Sequence, residues 1–129
     1  MTATIGRTAP SRATERRRVL YEEALAMIER SYSDERLTVT ELSRGIYSSR
    51  RQVQRSFAEA GTSVRETLHT IRMRRAAELL RESALPVAQI GQRVGYRQPA
   101  QFAKAFRRYH GVSPSQWREG GERRLDAAA

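Results

Sequence analysis

Phe102, Phe106 and Tyr109 recur at helical spacing, while Ala100, Lys104 and Arg107 fall almost opposite them at about 100° per residue. One face of that helix can bury aromatics, and the other is small and basic. Just before it, Val87, Ile90 and Val94 form a shorter apolar-periodic segment that ends at Gly95. Helix, glycine turn and helix follow one another within a single stretch. From Ser83 to Arg118 there is no Asp or Glu, but there are five Arg (93, 97, 107, 108 and 118) and Lys104. A helix-turn-helix with such a face suits the major groove of DNA.

The same design occurs upstream. Thr38-Val39-Thr40-Glu41 has the capping-box form that starts a helix, with Val39 and Leu42 inward and Ile46 near its end. After a turn at Tyr47-Ser48, Ser49 is an N-cap for a helix from Arg50 to about Ala60. Val53, Phe57 and Ala60 share its inner face. Arg51, Arg55 and Ala58 lie opposite, with Gln54 alongside. Val53 and Phe57 precede Phe102 and Phe106 by 49 residues, and the same offset places Arg51, Gln54 and Arg55 on Ala100, Ala103 and Lys104. The chain therefore contains two related units, a weak internal duplication.

Between the units, Ser63-Val64-Arg65-Glu66 opens a helix reaching about Glu82, with Val64, Leu68, Ile71, Ala76, Leu79 and Leu80 as its apolar positions. Roughly 19 residues at 1.5 Å each span about 28 Å. Successive major grooves on one side of B-DNA lie ~34 Å apart. A rigid connector of this length can set two recognition helices in adjacent grooves.

The predicted fold is all-α, with about seven helices in two helix-turn-helix subdomains joined by a long central helix. Residues 1–13 read as a disordered basic leader, 14–62 as the first subdomain, 63–83 as the connector, 84–119 as the second subdomain and 120–129 as a disordered tail. The amphipathic first helix runs from about Thr14 to Tyr32, with Val19, Leu20, Ala24, Leu25 and Ile28 inward. Pro86 starts the helix before the second turn, and Ser113-Pro114-Ser115-Gln116 starts a short final one carrying Trp117.

Net charge narrows the function. The chain of 129 residues carries +10 at pH 7, which calls for a polyanionic partner. Of 24 basic residues only Lys104 is lysine, so the basic face is built from guanidinium groups suited to phosphates and guanine edges. The length leaves little room for a separate ligand-binding module. Cysteine is absent, which excludes disulfides, thiolate metal sites and cysteine nucleophiles. His69 and His110 lack companion ligands and read as surface or rim residues. Neither a metal nor any other cofactor is expected, nor a membrane span, and the cytoplasm is the expected location.

Taken together, Ile90, Gly95-Tyr96, Phe102, Phe106, Gly111, Ser113-Pro114, an aromatic at Trp117 and Arg118 resemble the DNA-binding region of the AraC/XylS family of bacterial transcription regulators. Leu42, Ser49, Val53, Arg55, Phe57 and Gly61 match in the first unit, and Arg72, Ala76, Leu79 and Leu80 in the connector. The resemblance runs from about Val19 to Arg118. It implies binding of double-stranded DNA at asymmetric sites by one monomer, and recruitment of RNA polymerase. Carried over, the base-reading positions are Arg51, Gln54 and Arg55 in the first recognition helix and Pro99, Ala100, Ala103 and Lys104 in the second. Ser49, Arg50, Gln98, Gln101 and Arg107 are assigned to the phosphate backbone, and Arg72 to anchoring the two subdomains.

Three departures from the family pattern stand out. Gly91 replaces the alanine usual after Ile90, and Tyr47 replaces the turn glycine of the first unit, an awkward residue wherever φ is positive. Pro99, Ala100 and Ala103 offer few donors, so the first unit is expected to supply most direct readout. Two other functions compete. One is a protein-interaction module that engages polymerase or another acidic partner and meets DNA only non-specifically. The other is an alkylation-repair enzyme, since such proteins carry a similar helix-turn-helix region; methyl transfer needs a cysteine acceptor, so no enzyme activity is expected.

Overall fold

The computed structural model describes residues 11–120. Its helices are α1 (Arg12–Ser31), α2 (Val39–Gly45), α3 (Arg50–Glu59), α4 (Val64–Glu82), α5 (Val87–Arg93), α6 (Pro99–His110) and a last helix, α7, over 114–120. The fold is all-α, as the periodicity predicts. Of the expected leader, residues 1–10 lie outside the described residues, as do 121–129 of the expected tail. Within the described part α1 starts two residues earlier than expected, because the Ser11 hydroxyl accepts the Thr14 N–H at 3.1 Å and caps it.

The other N-caps are those the sequence marks. Thr38, Ser49, Ser63 and Ser113 each accept an N–H three residues on, from Glu41, Gln52, Glu66 and Gln116. Only Ser113 closes a reciprocal box, its own N–H donating to Gln116 Oε1 at 2.9 Å. Pro86 is the N-cap of α5 rather than its first residue, with ψ 146° keeping it extended.

Two apolar cores sit side by side along α4. Ala24 and Ile28 of α1, Leu37, Leu42 of α2, and Val53 and Phe57 of α3 surround Leu68 in the first. Met73, Ala76, Ala77 and Leu80 of α4 meet Ile90, Val94, Phe102 and Phe106 in the second. Tyr32 packs against both. Burying a Phe or Leu side chain contributes about 1.5–3 kcal/mol, so each unit holds its recognition helix chiefly by two or three such residues.

Three side chains depart from the expected inner faces, the first being Ala60, exposed where α3 has already ended at Glu59. Val19 is 45% exposed on α1 and Tyr109 is 38% exposed on α6. Tyr109 belongs to the rim of the second core, where its ring meets His69 edge-on at 5.7 Å. His110 goes the other way, half-buried between Phe106 and Trp117 with Nε2 3.0 Å from the Met73 carbonyl.

The two turns solve one geometric problem differently. Ser48 N–H bonds Ser43 O and Tyr96 N–H bonds Gly91 O, each at 2.9 Å, which aligns Tyr47 with Gly95. Both have positive φ, 55° at Tyr47 and 99° at Gly95. Gly95 has no alternative, since a Cβ there would lie 2.7 Å from the Tyr32 carbonyl and 2.8 Å from Arg72 Nε. Tyr47 accepts the strained backbone because nothing crowds it; its side chain is 98% exposed. The second turn then takes one more residue before its recognition helix. Urea unfolding should separate the two sites. Tyr47→Gly relieves left-handed strain and should stabilise by up to about 1 kcal/mol, whereas Gly95→Ala should destabilise by about 1–3 kcal/mol.

Candidate nucleic-acid interface

Burial of Val53, Ser56 and Phe57 turns the rest of α3 outward. Arg50, Arg51, Gln54, Arg55 and Ala58 are all exposed there. Ser49 is exposed at the helix start, and although its hydroxyl accepts the Gln52 N–H at 3.1 Å, its O–H remains free to donate to a phosphate. Phe102 and Phe106 orient α6 in the same way, exposing Gln98, Pro99, Ala100, Gln101, Lys104 and Arg107. Ala103 is half-buried, so its methyl lies at the edge of that face. Among the described residues no carboxylate pairs with Arg50, Arg51, Lys104 or Arg107.

Arg55 is the exception on these faces. Its Nε stands 3.9 Å from Glu59 Oε1, one helical turn on. The same oxygen lies 2.6 Å from Arg17 Nε of α1, in ion-pair contact without an aligned N–H. Glu59 thus joins α1 to the recognition helix and holds Arg55 loosely. This link has no local sequence signal, because Arg17 and Glu59 are distant in the chain.

The second recognition helix starts with an open end. Gln98 caps α6 without a side-chain hydrogen bond, and Pro99 at the first helical position has no N–H to satisfy. The free N–H groups of that first turn and the Gln98 amide can face a phosphate. Downstream, Gly111 at φ 80° ends α6, and its N–H donates to Arg107 O at 2.8 Å.

Gly91 shows why the second unit departs from the usual alanine. A Cβ there would lie 2.9 Å from the Phe102 ring. The aligned position of the first unit is Ser43, buried with its hydroxyl donating to Thr40 O at 2.9 Å, and the residue aligned with Phe102 is the smaller, buried Val53. A larger residue on the recognition helix is matched by a smaller one on the helix beneath it.

Orientation between the units comes from Arg72. Its Nε donates to Tyr32 O at 2.8 Å and its Nη2 to Asp34 O at 2.9 Å. Its guanidinium stands 5.8 Å from the centre of the Tyr96 ring, and Gly95 packs against it. Burial lowers its pKa from the ordinary arginine range, opposed by Tyr96 and Asp34. Arg97 adds a surface link, with Nε and Nη2 on Glu35 Oε1 at 3.0 and 2.6 Å. At the far end Arg118 donates to the carbonyls of Leu80, Ser83 and Leu85, closing the C-terminus of α4. The Trp117 indole donates to Ala77 O at 3.2 Å, with Arg81 stacked 4.1 Å over its ring.

With this geometry in place, the relatives can be set beside it. Residues 42–120 match the family described as a helix-turn-helix domain. The chain belongs to the AraC type of helix-turn-helix DNA-binding domains. It is similar to the C-terminal domain of AraT, a response regulator from Geobacillus stearothermophilus, with 32% identity and TM-score 0.73, covering 88% of each chain. It also resembles the DNA-binding domain of AdpA, a global transcriptional factor solved with a target DNA, at 30% identity and TM-score 0.74 over 81% of this chain and 94% of that one. An HTH-type transcriptional regulator of Mycobacterium tuberculosis is 41% identical over 71 residues, which is 55% of this chain and 21% of that protein. The AraC-type match therefore spans about a fifth of that relative's length. This is a family of non-enzymatic DNA-binding domains. Among the described residues no helix is long and apolar enough to cross a membrane.

One titratable group near the interface is displaced from its ordinary range. Burial, then the charges of Arg65, Arg72 and Arg108, holds His69 below the usual histidine value of 6.5. The unfolded chain binds that proton more readily, so the contribution is fully present above about pH 6.5 and is lost as pH falls through the folded value. Urea midpoints measured from about pH 7 to pH 5 should fall less in His69→Gln than in the parent.

Proposed function

We propose that the chain reads double-stranded DNA for a transcription regulator, laying α3 and α6 in successive major grooves of one site. The observation that carries this is the pair of exposed, acid-poor helix faces held by one 19-residue helix, α4. That helix is about 28 Å long, close to the ~34 Å repeat of the groove. The likeness to a DNA-binding domain solved with its target DNA supports the same use here.

The faces suggest a division of labour. Arg51, Gln54 and Arg55 present donors and acceptors to base edges, with arginine matched to guanine O6 and N7 and glutamine to adenine. Pro99, Ala100 and Ala103 offer methyl and methylene groups to thymine, while Lys104 adds one cation. Ser49, Arg50, Gln98, Gln101 and Arg107 fix the register on phosphates. A single chain carries both hands, so a monomer on an asymmetric site is the expected stoichiometry. RNA polymerase as protein partner and the cytoplasm as location follow from the family resemblance.

The competing reading, a polymerase-binding module that meets DNA only non-specifically, predicts equal affinity for random and selected duplexes at about 150 mM salt. Specific reading predicts a clear preference for the selected ones. Arg55→Ala should then cost about 1–3 kcal/mol on a selected duplex and far less on a random one, while Arg107→Ala weakens both alike. Fluorescence anisotropy titrations of the two variants on both duplexes check this, and equal losses everywhere for both would remove Arg55 from the reading set.

A further inference from the structure

An open cleft of about 890 Å³ runs between α4 and α6. Arg65, His69 and Arg72 line it from α4, Lys104 and Arg108 from α6, and Tyr96 from the second turn. Glu66 is the one carboxylate of the lining, and it already accepts the Thr62 hydroxyl at 3.3 Å. Among the described residues no carboxylate pairs with Arg65, Lys104 or Arg108. Arg72 has a structural task in the junction, but the other three cations have none in the free protein. They gather around a histidine with the single Glu66 carboxylate to offset their repulsion.

The position of the cleft says what fills it. Gln101 and Lys104 line it and also stand on the outward face of α6, so the cleft opens beside the recognition surface. With α3 and α6 in successive grooves, the DNA backbone between those grooves passes along the connector. We propose that the cleft between α4 and α6 seats a backbone phosphodiester of that intervening DNA, and that His69 takes up a proton from solvent as the phosphate enters. The proposal rests on the two-groove reading above.

His69 is placed to respond. Its Nδ1 lies 3.3 Å from the Tyr96 hydroxyl, and among the described residues its Nε2 has no partner. Neutral His69 accepts from Tyr96 O–H; protonated His69 donates to the same oxygen, since a hydroxyl serves either role. In the free protein burial, and then the surrounding arginines, disfavour the imidazolium. A phosphodiester anion reverses that balance by supplying the missing opposite charge. Of the groups facing the ring, Arg65, Glu66 and Arg72 come from α4, Tyr96 from the turn, and Lys104, Arg108 and Tyr109 from α6. None of these has an ordinary pKa between about 5 and 8, whereas histidine does.

The test uses the full chain and a selected duplex, with anisotropy titrations at several pH and salt values. Affinity of the parent should rise about three- to tenfold from pH 8 to pH 6, and His69→Gln should abolish the rise. Arg65→Gln and Arg108→Gln, both exposed positions, should each lower the slope of log affinity against log salt by about 0.9 while the preference for selected over random duplex is kept. A flat pH profile in the parent, with salt slopes unchanged in both variants, overturns the proposal even where specific binding persists. Loss of all preference for the selected duplex strikes instead at the base-reading assignment, and the cleft is then judged by the same pH and salt criteria on random DNA. Inorganic phosphate or adenosine monophosphate that binds the free protein at micromolar levels and loses affinity in Arg108→Gln would make the occupant a free anion, and would also overturn the assignment to DNA.

Discussion

The Arg72 guanidinium is the contact on which the two-part architecture depends. Each helix-turn-helix unit has its own apolar core, and α4 runs through both, but a shared helix alone would leave the units free to twist about its axis. Arg72 removes that freedom by reaching from α4 to the Tyr32 and Asp34 carbonyls at the end of α1, while the second turn closes over it. Hydrogen bonds from a charged donor to carbonyls contribute about 1.5–3 kcal/mol, and leaving those acceptors unpaired costs more than the bonds gain. Gly95 is needed because the turn approaches this junction too closely for any Cβ. The length of α4 sets the spacing between the recognition helices, and this polar contact, with Tyr32 packed into both cores, holds the units in orientation about it.

The duplication shows how one scaffold tolerates different recognition helices. In the first unit the buried residues at the matching positions are Ser43 of α2 and Val53 of α3; in the second, Gly91 of α5 packs under the Phe102 ring of α6. Volume is conserved across the pair, which is what close packing requires. The turns diverge for a related reason. Tyr47 faces solvent and keeps a side chain at a strained φ, while Gly95 faces the junction and cannot.

Local physics was legible in the sequence, and long-range physics was not. Caps at Thr38, Ser49, Ser63 and Ser113 are each an interaction across three residues, so residue type and spacing reveal them. The helical periods placed Phe57, Phe102 and Phe106 inside for the same reason. Tyr109 shares their helical face yet lies at the rim, because how far a face is covered depends on where α4 passes over it. The faces of α3 and α6 were readable from charge; the loose hold of Glu59 on Arg55 and Arg17 was not. His69 likewise reads as an ordinary histidine in the sequence, since only the fold brings Arg65, Arg72 and Arg108 around it.

The distribution of carboxylates gives the charge pattern its meaning. Glu35 is spent on Arg97, Glu59 on Arg17 and Arg55, and Glu78 on Arg75, all at edges between helices or along their sides. Arg50, Arg51, Lys104 and Arg107 are left facing outward together. Such a face repels itself, and each unpaired cation lowers the stability of the free domain slightly, more at low salt than at high. DNA binds the folded arrangement of these charges more tightly than the unfolded chain, so it returns part of that stability, growing with the logarithm of its concentration over its dissociation constant. The apolar cores and the Arg72 junction must therefore carry the free protein alone, the cores built from the most completely buried of the described residues and the junction from half-buried ones.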